Sequence, residues 1–154
     1  MSARSALVVV DAQVGVLGPL WKSQRLVANL ERLVTKTRTA GSLVVWVQNF
    51  DDELPFGSDP WKFPPNFVPA PNEVVIHEKH NSSFASTDLG QTLRSRNIGR
   101  VVLAGAATNW CIRATAYAAE DRSYNLTLVG DANSTKSMTF EMVEWSPRSP
   151  SSLT

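Results

Sequence analysis

Short apolar runs recur along this chain and alternate with segments whose apolar residues follow a helical spacing. Five of the runs are rich in Val, Leu, Ile and Ala and are bounded by polar or turn-forming residues. This pattern is typical of strands that are buried on both faces of a parallel sheet. We predict strands over residues 6–10, 43–47, 74–77, 101–104 and 126–129.

Three segments between these runs have helical features. Leucine and valine residues recur at helical spacing over 26–34, and Gly41 follows where a helix would need a left-handed cap. Thr87 is a candidate N-cap for a second helix over 87–96, and a third is predicted over 111–122. Strands that alternate with helices predict an α/β fold, a three-layer doubly wound sheet that is mainly parallel.

The remaining segments lack a regular pattern. Six prolines between residues 48 and 71 exclude regular elements there, and a loop of this length inside a compact domain is usually functional. After Asp131 the pattern is weak, with a helical turn or two predicted over 138–145 and a frayed tail over 146–154. Without an internal repeat or a boundary, we expect one domain over residues 1–154.

Composition excludes several classes of function. The 154 residues are 43% hydrophobic and 19% charged, with a net charge of +1, as in an ordinary globular domain. Nucleic acid and membrane are therefore not expected partners. The apolar run before Asp11 is too short for a signal peptide or a bilayer span. One cysteine cannot form an internal disulfide, so we expect a soluble, cytoplasmic protein.

Three reactive side chains follow predicted strands, where ligands bind in open parallel sheets. Asp11 ends the first strand, Lys79 follows the third, and Cys111 opens the helix after the fourth. Each has a simpler interpretation on its own: an aspartate that caps a turn, a solvated lysine and a small buried thiol. Together they supply a nucleophile, a base and an electrostatic partner.

The segment Gly105-Ala106-Ala107-Thr108-Asn109-Trp110-Cys111 strengthens the catalytic interpretation. A tight turn from strand to helix would place the sulfur at a helix N-terminus, where the dipole favours thiolate over thiol. An ammonium from Lys79 would lower the thiol pKa further, and Asp11 could accept its proton. The sequence thus predicts an activated cysteine.

Three motifs resemble those of the isochorismatase-like cysteine hydrolase superfamily, which includes nicotinamidases, N-carbamoylsarcosine amidase and ureido-acid hydrolases. They are VVVDAQ at the first strand, EKHNSSF after the third and GAATNWCI after the fourth, and the resemblance runs over about residues 6–131. It implies a catalytic triad of Asp11, Lys79 and Cys111. It also implies hydrolysis of a C–N amide bond in a small molecule through a thioester. We expect a homo-oligomer, a dimer or tetramer.

The resemblance also implies the details of the site. The peptide bond between Ala106 and Ala107 would be cis, and the N–H groups of Ala107 and Cys111 would form an oxyanion hole. Gln13 often faces the site in the family, although a role in satisfying the first turn is equally open. The aromatic residues near the strand ends provide candidate pocket walls, namely Phe50, Trp61, Phe84 and Trp110.

The chain departs from the family pattern in two places. Nicotinamidases hold a metal through histidine after the second strand, whereas this chain reads Gln48-Asn49-Phe50-Asp51-Asp52. We therefore expect no metal and no cofactor. Pro147 and Pro150 stand where the family adds a further helix and strand, so a shortened C-terminal unit is expected. A dyad of Cys111 with His80 is a minor alternative.

Two other functions remain open on the same fold. Hydrolysis of the vinyl ether of isochorismate needs acid catalysis but no thiol, so the presence of Cys111 favours an amidase. A non-catalytic interaction protein is the other alternative, supported by the shortened C-terminus. Residues 53–61 resemble streptothricin-hydrolase-like members of the superfamily, which open a lactam.

Overall fold

A computed structural model of the protein describes residues 4–135. The helical turn predicted over 138–145, the frayed tail over 146–154 and the shortened C-terminal unit lie outside these residues. Within the part of the chain that is described, no helix is both long and apolar enough to cross a bilayer.

Five strands form one sheet in which every neighbouring pair is parallel. The strand order is β3-β2-β1-β4-β5, so β1 is central and the chain changes direction across the sheet between β1 and β4. The strands are β1 (Arg4–Val10), β2 (Leu43–Asn49), β3 (Val74–Glu78), β4 (Ile98–Ala106) and β5 (Asn125–Ser134).

Helices connect the strands. The α-helices are α1 (Val14–Leu17), α2 (Ser23–Thr39), α3 (Leu89–Ser95) and α4 (Arg113–Asp121). A 3₁₀ turn over Asp59–Trp61 is the helical element of the proline-rich loop. A π-helical turn over Thr108–Ile112 leads from β4 into α4.

The core lies on both faces of the sheet because successive strand residues point to opposite sides. Leu7 and Val9 of β1 pack on one face against α2, whereas Val8 and Val10 pack on the other face, where α3 and α4 lie. Burial on both faces explains why the strands are continuous apolar runs. The predicted three-layer α/β fold is confirmed.

Most differences from the predicted elements concern their ends. All five predicted strands are present, and the observed strands extend beyond the predicted ranges. The predicted helix over 111–122 begins as an α-helix only at Arg113, since the π-helical turn precedes it. The prolines between 48 and 71 restrict that loop to a single short 3₁₀ turn, close to what the sequence indicates.

Gly105 allows β4 to approach the end of β1 closely. Its φ is +121°, and a Cβ built there would lie 2.1 Å from the carbonyl oxygen of Val10. Any other residue would clash with backbone that belongs to the central strand. The two strand ends that carry Asp11 and Cys111 are held together at this point.

Candidate active site

The candidate site lies beyond the carboxyl ends of β1 and β4, where the order of strands reverses. Open α/β sheets bind ligands at this position. A cavity of about 830 Å³ opens there between the turns that follow the strands and the proline-rich loop. Its lining includes Asp11, Asn49, Asp51, Glu53, Asn81, Ala107, Trp110 and Cys111, with apolar walls from Val16, Leu20, Leu54 and Pro60.

Asp11 is fixed by its backbone. Its φ is +53°, its N–H donates to the carbonyl oxygen of Val47 at 2.8 Å, and its own carbonyl accepts from the N–H of Gln13 at 2.8 Å. The side chain is 2% exposed, and its Oδ1 has no hydrogen-bond partner among the described residues. A turn held at both backbone groups thus presents a buried carboxyl group to the cavity.

The pKa of Asp11 is raised to about 7, chiefly because burial penalises the charged form. Hydrogen bonds with Cys111 and with the backbone of Asn49 lower it, and the nearby charge of Asp51 raises it slightly. A carboxyl group that titrates near neutral pH can both accept and return a proton.

Cys111 lies in the π-helical turn and borders the cavity, with 6% of the residue exposed. Its sulfur lies within 4.8 Å of a carboxyl oxygen of Asp11. Burial raises the pKa of the thiol well above its usual range, and the negative charge of Asp11 raises it further. The expected lowering of the thiol pKa is therefore wrong for this arrangement, because the sulfur is buried and lies beside carboxyl groups rather than an ammonium.

The turn before Cys111 has the backbone geometry that the resemblance implied. The peptide bond from Ala106 to Ala107 is cis. The hydroxyl of Thr108 donates to Asn133 Oδ1 at 2.6 Å, and that of Thr135 donates to Asn109 Oδ1 at 2.6 Å. These side-chain bonds tie the turn to the end of β5.

Lys79 does not line the cavity that Cys111 borders. Its side chain is exposed, and its Nζ lies 5.1 Å from the centroid of the Phe50 ring. The reason is the alternation of side chains along β3, which extends to Glu78. Ile76 and Glu78 point inward, whereas Lys79 points outward.

Glu78 occupies the place beside Asp11 and Cys111. It is 2% exposed, and neither carboxylate oxygen has a hydrogen-bond partner among the described residues. Carboxyl oxygens of both acids and the sulfur all lie within 4.8 Å of one another. Burial raises the pKa of Glu78 to about 8, with a further contribution from the charge of Asp11. Glu78 is not among the site residues predicted from the sequence.

Potential metal ligands among the described residues converge at this site. Asp11, Glu78 and Cys111 form the group of potential ligands that converges within 4.8 Å. His77 is not part of it, because its ring packs against Phe56 and Trp61 and its Nε2 lies 3.2 Å from Gln48 Oε1. The absence of a metal in the working protein stays a prediction.

Gln13 does not line the cavity. It is fully buried, and its Nε2 donates to the carbonyl oxygens of Asn49 at 2.9 Å and Trp61 at 2.8 Å. Its Oε1 accepts from the N–H of Asn49 at 3.0 Å. All of these partners are backbone groups, so the structure places Gln13 as a polar link between the first turn, β2 and the proline-rich loop.

Of the four aromatic residues suggested as pocket walls, only Trp110 lines the cavity. Phe84 is buried in the core instead, stacked on Tyr124 with centroids 6.0 Å apart. Phe50 and Trp61 pack against Phe56, at 5.7 and 4.4 Å between centroids. These three rings pack on one another within the proline-rich loop, and Phe56 and Trp61 also pack on His77 of β3, which attaches the loop to the sheet.

A parallel α/β sheet that brings a cysteine and an aspartate together at its switch point defines a hydrolase-like site. The chain matches the isochorismatase domain over residues 5–148, and it belongs to the isochorismatase family.

Several solved structures superpose closely on this chain. An isochorismatase from Pseudomonas putida KT2440 is 27% identical, with a TM-score of 0.83 over 90% of this chain and 74% of that one. The N-carbamoylsarcosine amidase from Thermoplasma acidophilum is 26% identical, with a TM-score of 0.78 over 86% and 85%. A cysteine hydrolase from Pseudomonas syringae pv. phaseolicola 1448A shares the fold at 21% identity and a TM-score of 0.84, over 93% and 77%.

Proposed function

We propose that this isochorismatase-family hydrolase cleaves a C–N amide or lactam bond of a small molecule through a thioester on Cys111. The observation that carries the proposal is the convergence of the Cys111 sulfur and a carboxyl oxygen of Asp11 within 4.8 Å of each other at the border of the cavity. A nucleophile with a base beside it is the minimum for covalent acyl transfer. The similarity to an N-carbamoylsarcosine amidase supports a C–N bond as the target.

The reaction would begin from a neutral thiol, since burial and, to a smaller extent, the neighbouring acids raise the pKa of Cys111. As the sulfur attacks the carbonyl carbon, its proton passes to Asp11. The N–H groups of Ala107 and Cys111 would stabilise the oxyanion. Asp11 then protonates the departing amine as the C–N bond breaks, which leaves the acyl group on sulfur.

The second half of the reaction restores the thiol. A water molecule gives a proton to Asp11 and attacks the thioester carbonyl, and the thiolate that leaves takes that proton back. The acid product departs with no net change in the enzyme. Asp11 acts as base and acid in turn, a task that suits a carboxyl group with a pKa of about 7.

A covalent intermediate gives a direct test. A panel of primary amides, carbamoyl compounds and lactams is screened for release of ammonia or acid, and reactions are quenched in acid for intact-mass measurement. We expect an acyl adduct on Cys111 and complete loss of turnover in Cys111→Ala. Full activity of Cys111→Ala would exclude the thioester route.

One observation favours a second candidate, the acid-catalysed hydrolysis of an enol ether. Asp11 and Glu78 are buried carboxyl groups whose oxygens lie within 4.8 Å of each other, and burial raises their pKa values to about 7 and about 8, so either acid could donate a proton to a double bond near neutral pH. Such an enzyme would retain activity in Cys111→Ala and lose it in Asp11→Asn. The same variants therefore separate the two candidates.

We further propose that the enzyme acts on a small-molecule amide as a homo-oligomer in the cytoplasm. Size-exclusion chromatography with light scattering measures the oligomeric state directly.

A further inference from the structure

Glu78 lies at the site but has no task in the proposed thioester mechanism. It is 2% exposed, and neither of its carboxylate oxygens has a hydrogen-bond partner among the described residues. The ion pairs in the described part of the chain join Arg38 to Glu73 and Lys62 to Asp59, so Glu78 has no cationic partner there either. Burying a carboxyl group in this state is costly unless a proton or a cation compensates it.

The free oxygens of Glu78 face two further metal-ligating groups. One carboxyl oxygen each from Asp11 and Glu78 and the sulfur of Cys111 all lie within 4.8 Å of one another. Two ligand atoms of one tetrahedral zinc ion are roughly 3.3–3.7 Å apart, because Zn–O bonds are about 2.0–2.2 Å long and Zn–S bonds about 2.3 Å. Small rotations of the side chains would therefore bring the three atoms to coordination distance.

The three ligands are held by the sheet and can be reached from the cavity. Asp11 directly follows β1, Glu78 is the last residue of β3, and Cys111 lies in the turn after β4. Asp11 and Cys111 line the cavity, so an ion could enter through it. A site whose ligands come from three rigid strands is preorganised, and it has an entry path.

The chemistry of the donors selects the kind of ion. A thiolate and two carboxylates carry three negative charges, which a divalent cation would largely neutralise. Mg²⁺ and Ca²⁺ prefer oxygen ligands alone and take six or more of them, whereas Zn²⁺ accepts sulfur and oxygen in a tetrahedral site. Three protein ligands suffice for zinc, which can take its fourth ligand from solvent.

We infer that Asp11, Glu78 and Cys111 bind one thiophilic divalent cation, for which Zn²⁺ fits best, and that this ion inhibits the hydrolase. Binding breaks the S–H bond of Cys111 and forms a bond from zinc to sulfur, and the proton leaves to solvent with any proton that the two acids hold. The ion thereby occupies both the nucleophile and the base. Inhibition rests on the proposed function, whereas binding of the ion does not.

Co²⁺ gives a direct test of binding, because a bond from cobalt to a thiolate absorbs in the near ultraviolet. The chain contains one cysteine, so this absorption reports on Cys111 alone. Metal-free wild-type protein is titrated with Co²⁺ and then with Zn²⁺. We expect the band to saturate at one equivalent of Co²⁺ and to disappear with one equivalent of Zn²⁺, which binds such ligands more tightly than Co²⁺. Absence of the band overturns the site.

A variant of Glu78 tests the third ligand. Glu78→Gln should weaken Zn²⁺ binding about 100-fold or more, since loss of a group that only supports a ligand already costs about 10–100-fold. Glu53→Gln is the matched control, because Glu53 lines the cavity but lies outside the cluster, and it should leave the Zn²⁺ affinity unchanged. Competition with a chromophoric chelator measures both dissociation constants, and circular dichroism checks the fold. Equal affinities of Glu78→Gln and wild type would remove Glu78 from the site.

Alkylation and turnover separate this inference from the proposed function. Saturating Zn²⁺ should slow alkylation of wild-type Cys111 by iodoacetamide about tenfold or more, and EDTA should restore it, because the metal holds the thiolate. Turnover should be lost and restored in parallel. Protection of Cys111 without loss of turnover supports the metal site and contradicts the thioester mechanism. Unchanged alkylation at saturating Zn²⁺ overturns the metal site, even in an active hydrolase.

Discussion

Glu73 immediately precedes β3, and Glu78 is the last residue of that strand. Both glutamate side chains are largely buried, yet their pKa values are shifted in opposite directions. The side chain of Glu73 is 3% exposed, and it accepts hydrogen bonds from Arg38, from Trp46 Nε1 at 3.0 Å and from the Ala70 N–H at 2.8 Å. Glu78 is 2% exposed and has no hydrogen-bond partner among the described residues. One end of the strand is saturated with donors, and the other lacks them.

The pKa values follow the partners rather than the burial. Burial raises the pKa of each glutamate, but the donors around Glu73 outweigh it and bring that pKa down to about 2. Without comparable donors, the pKa of Glu78 rises to about 8. A buried carboxylate whose hydrogen bonds are all made stabilises the fold, whereas a buried carboxyl group without donors is typical of a functional site. The Glu73 end of β3 is therefore structural, and the Glu78 end is functional.

The largest expected effect is at the functional end. Asp11→Asn removes the group that transfers protons, and we expect the rate to fall by about 10²–10⁴ with substrate binding retained. Asn suits the left-handed backbone conformation at position 11, so the fold should be unchanged. Steady-state kinetics and circular dichroism measure the two effects. A rate within threefold of wild type would remove Asp11 from the mechanism.

Glu78→Gln should change how the free energy of unfolding depends on pH. The folded-state pKa values of about 8 for Glu78 and about 7 for Asp11 exceed their ordinary values of 4.5 and 3.8. The folded protein therefore binds more protons than the unfolded chain between about pH 4 and 8, and stability from these groups falls as pH rises through that range.

Replacing Glu78 with glutamine, which cannot ionise, should remove much of this loss of stability at high pH. We expect Glu78→Gln to raise the free energy of unfolding by roughly 1–3 kcal/mol at pH 8.5 and to change it little at pH 4. Chemical denaturation at the two pH values is the measurement, with the exposed Glu120→Gln as control. Equal effects at both pH values would show that Glu78 is not an uncompensated acid.

Glu73→Gln should have the opposite profile at the structural end. Its lowered pKa means that its stabilising contribution is present above about pH 4.5 and is lost as pH falls toward 2. Loss of the charge-assisted bonds from Arg38 should cost about 1–2 kcal/mol at pH 7, with kcat/KM unchanged. A large loss of activity without a loss of stability would contradict the division between the two ends.

The smallest effect is expected at Lys79. Because this side chain is exposed and lies outside the cavity, Lys79→Ala should change kcat/KM by less than about twofold. The pH dependence of iodoacetamide alkylation should be unchanged as well. A shift of that profile to higher pH would return Lys79 to the site, as the family resemblance implied.

Much of the fold could be predicted from the sequence because buried parallel strands are continuous apolar runs, which a single sequence displays directly. Asp11 and Cys111 were also identifiable, since each follows such a run. Glu78 is not predicted as a site residue because the predicted third strand ends at His77, one residue too early. The alternation of inward-facing side chains from Ile76 to Glu78 is the signal that could have identified it.

Other features depend on contacts between distant parts of the chain. Gln13 and Phe84 carry no sequence mark that separates a pocket wall from a structural link, because their partners are remote in sequence. The raised pKa of the Cys111 thiol likewise depends on how deeply the fold buries the sulfur and on which charges lie beside it. Local pattern locates the strands, whereas packing decides which side chains meet at their ends.

The central position of β1 affects the order in which parts of the protein should unfold in denaturant. Asp11 and Cys111 follow β1 and β4, neighbouring inner strands whose amides should be among the slowest to exchange with deuterium. The turn over residues 51–54, by contrast, is exposed and attached mainly through its own hydrogen bonds. In mild urea this turn should open first, so that KM rises while the reacting pair is still assembled and kcat persists until the sheet itself unfolds.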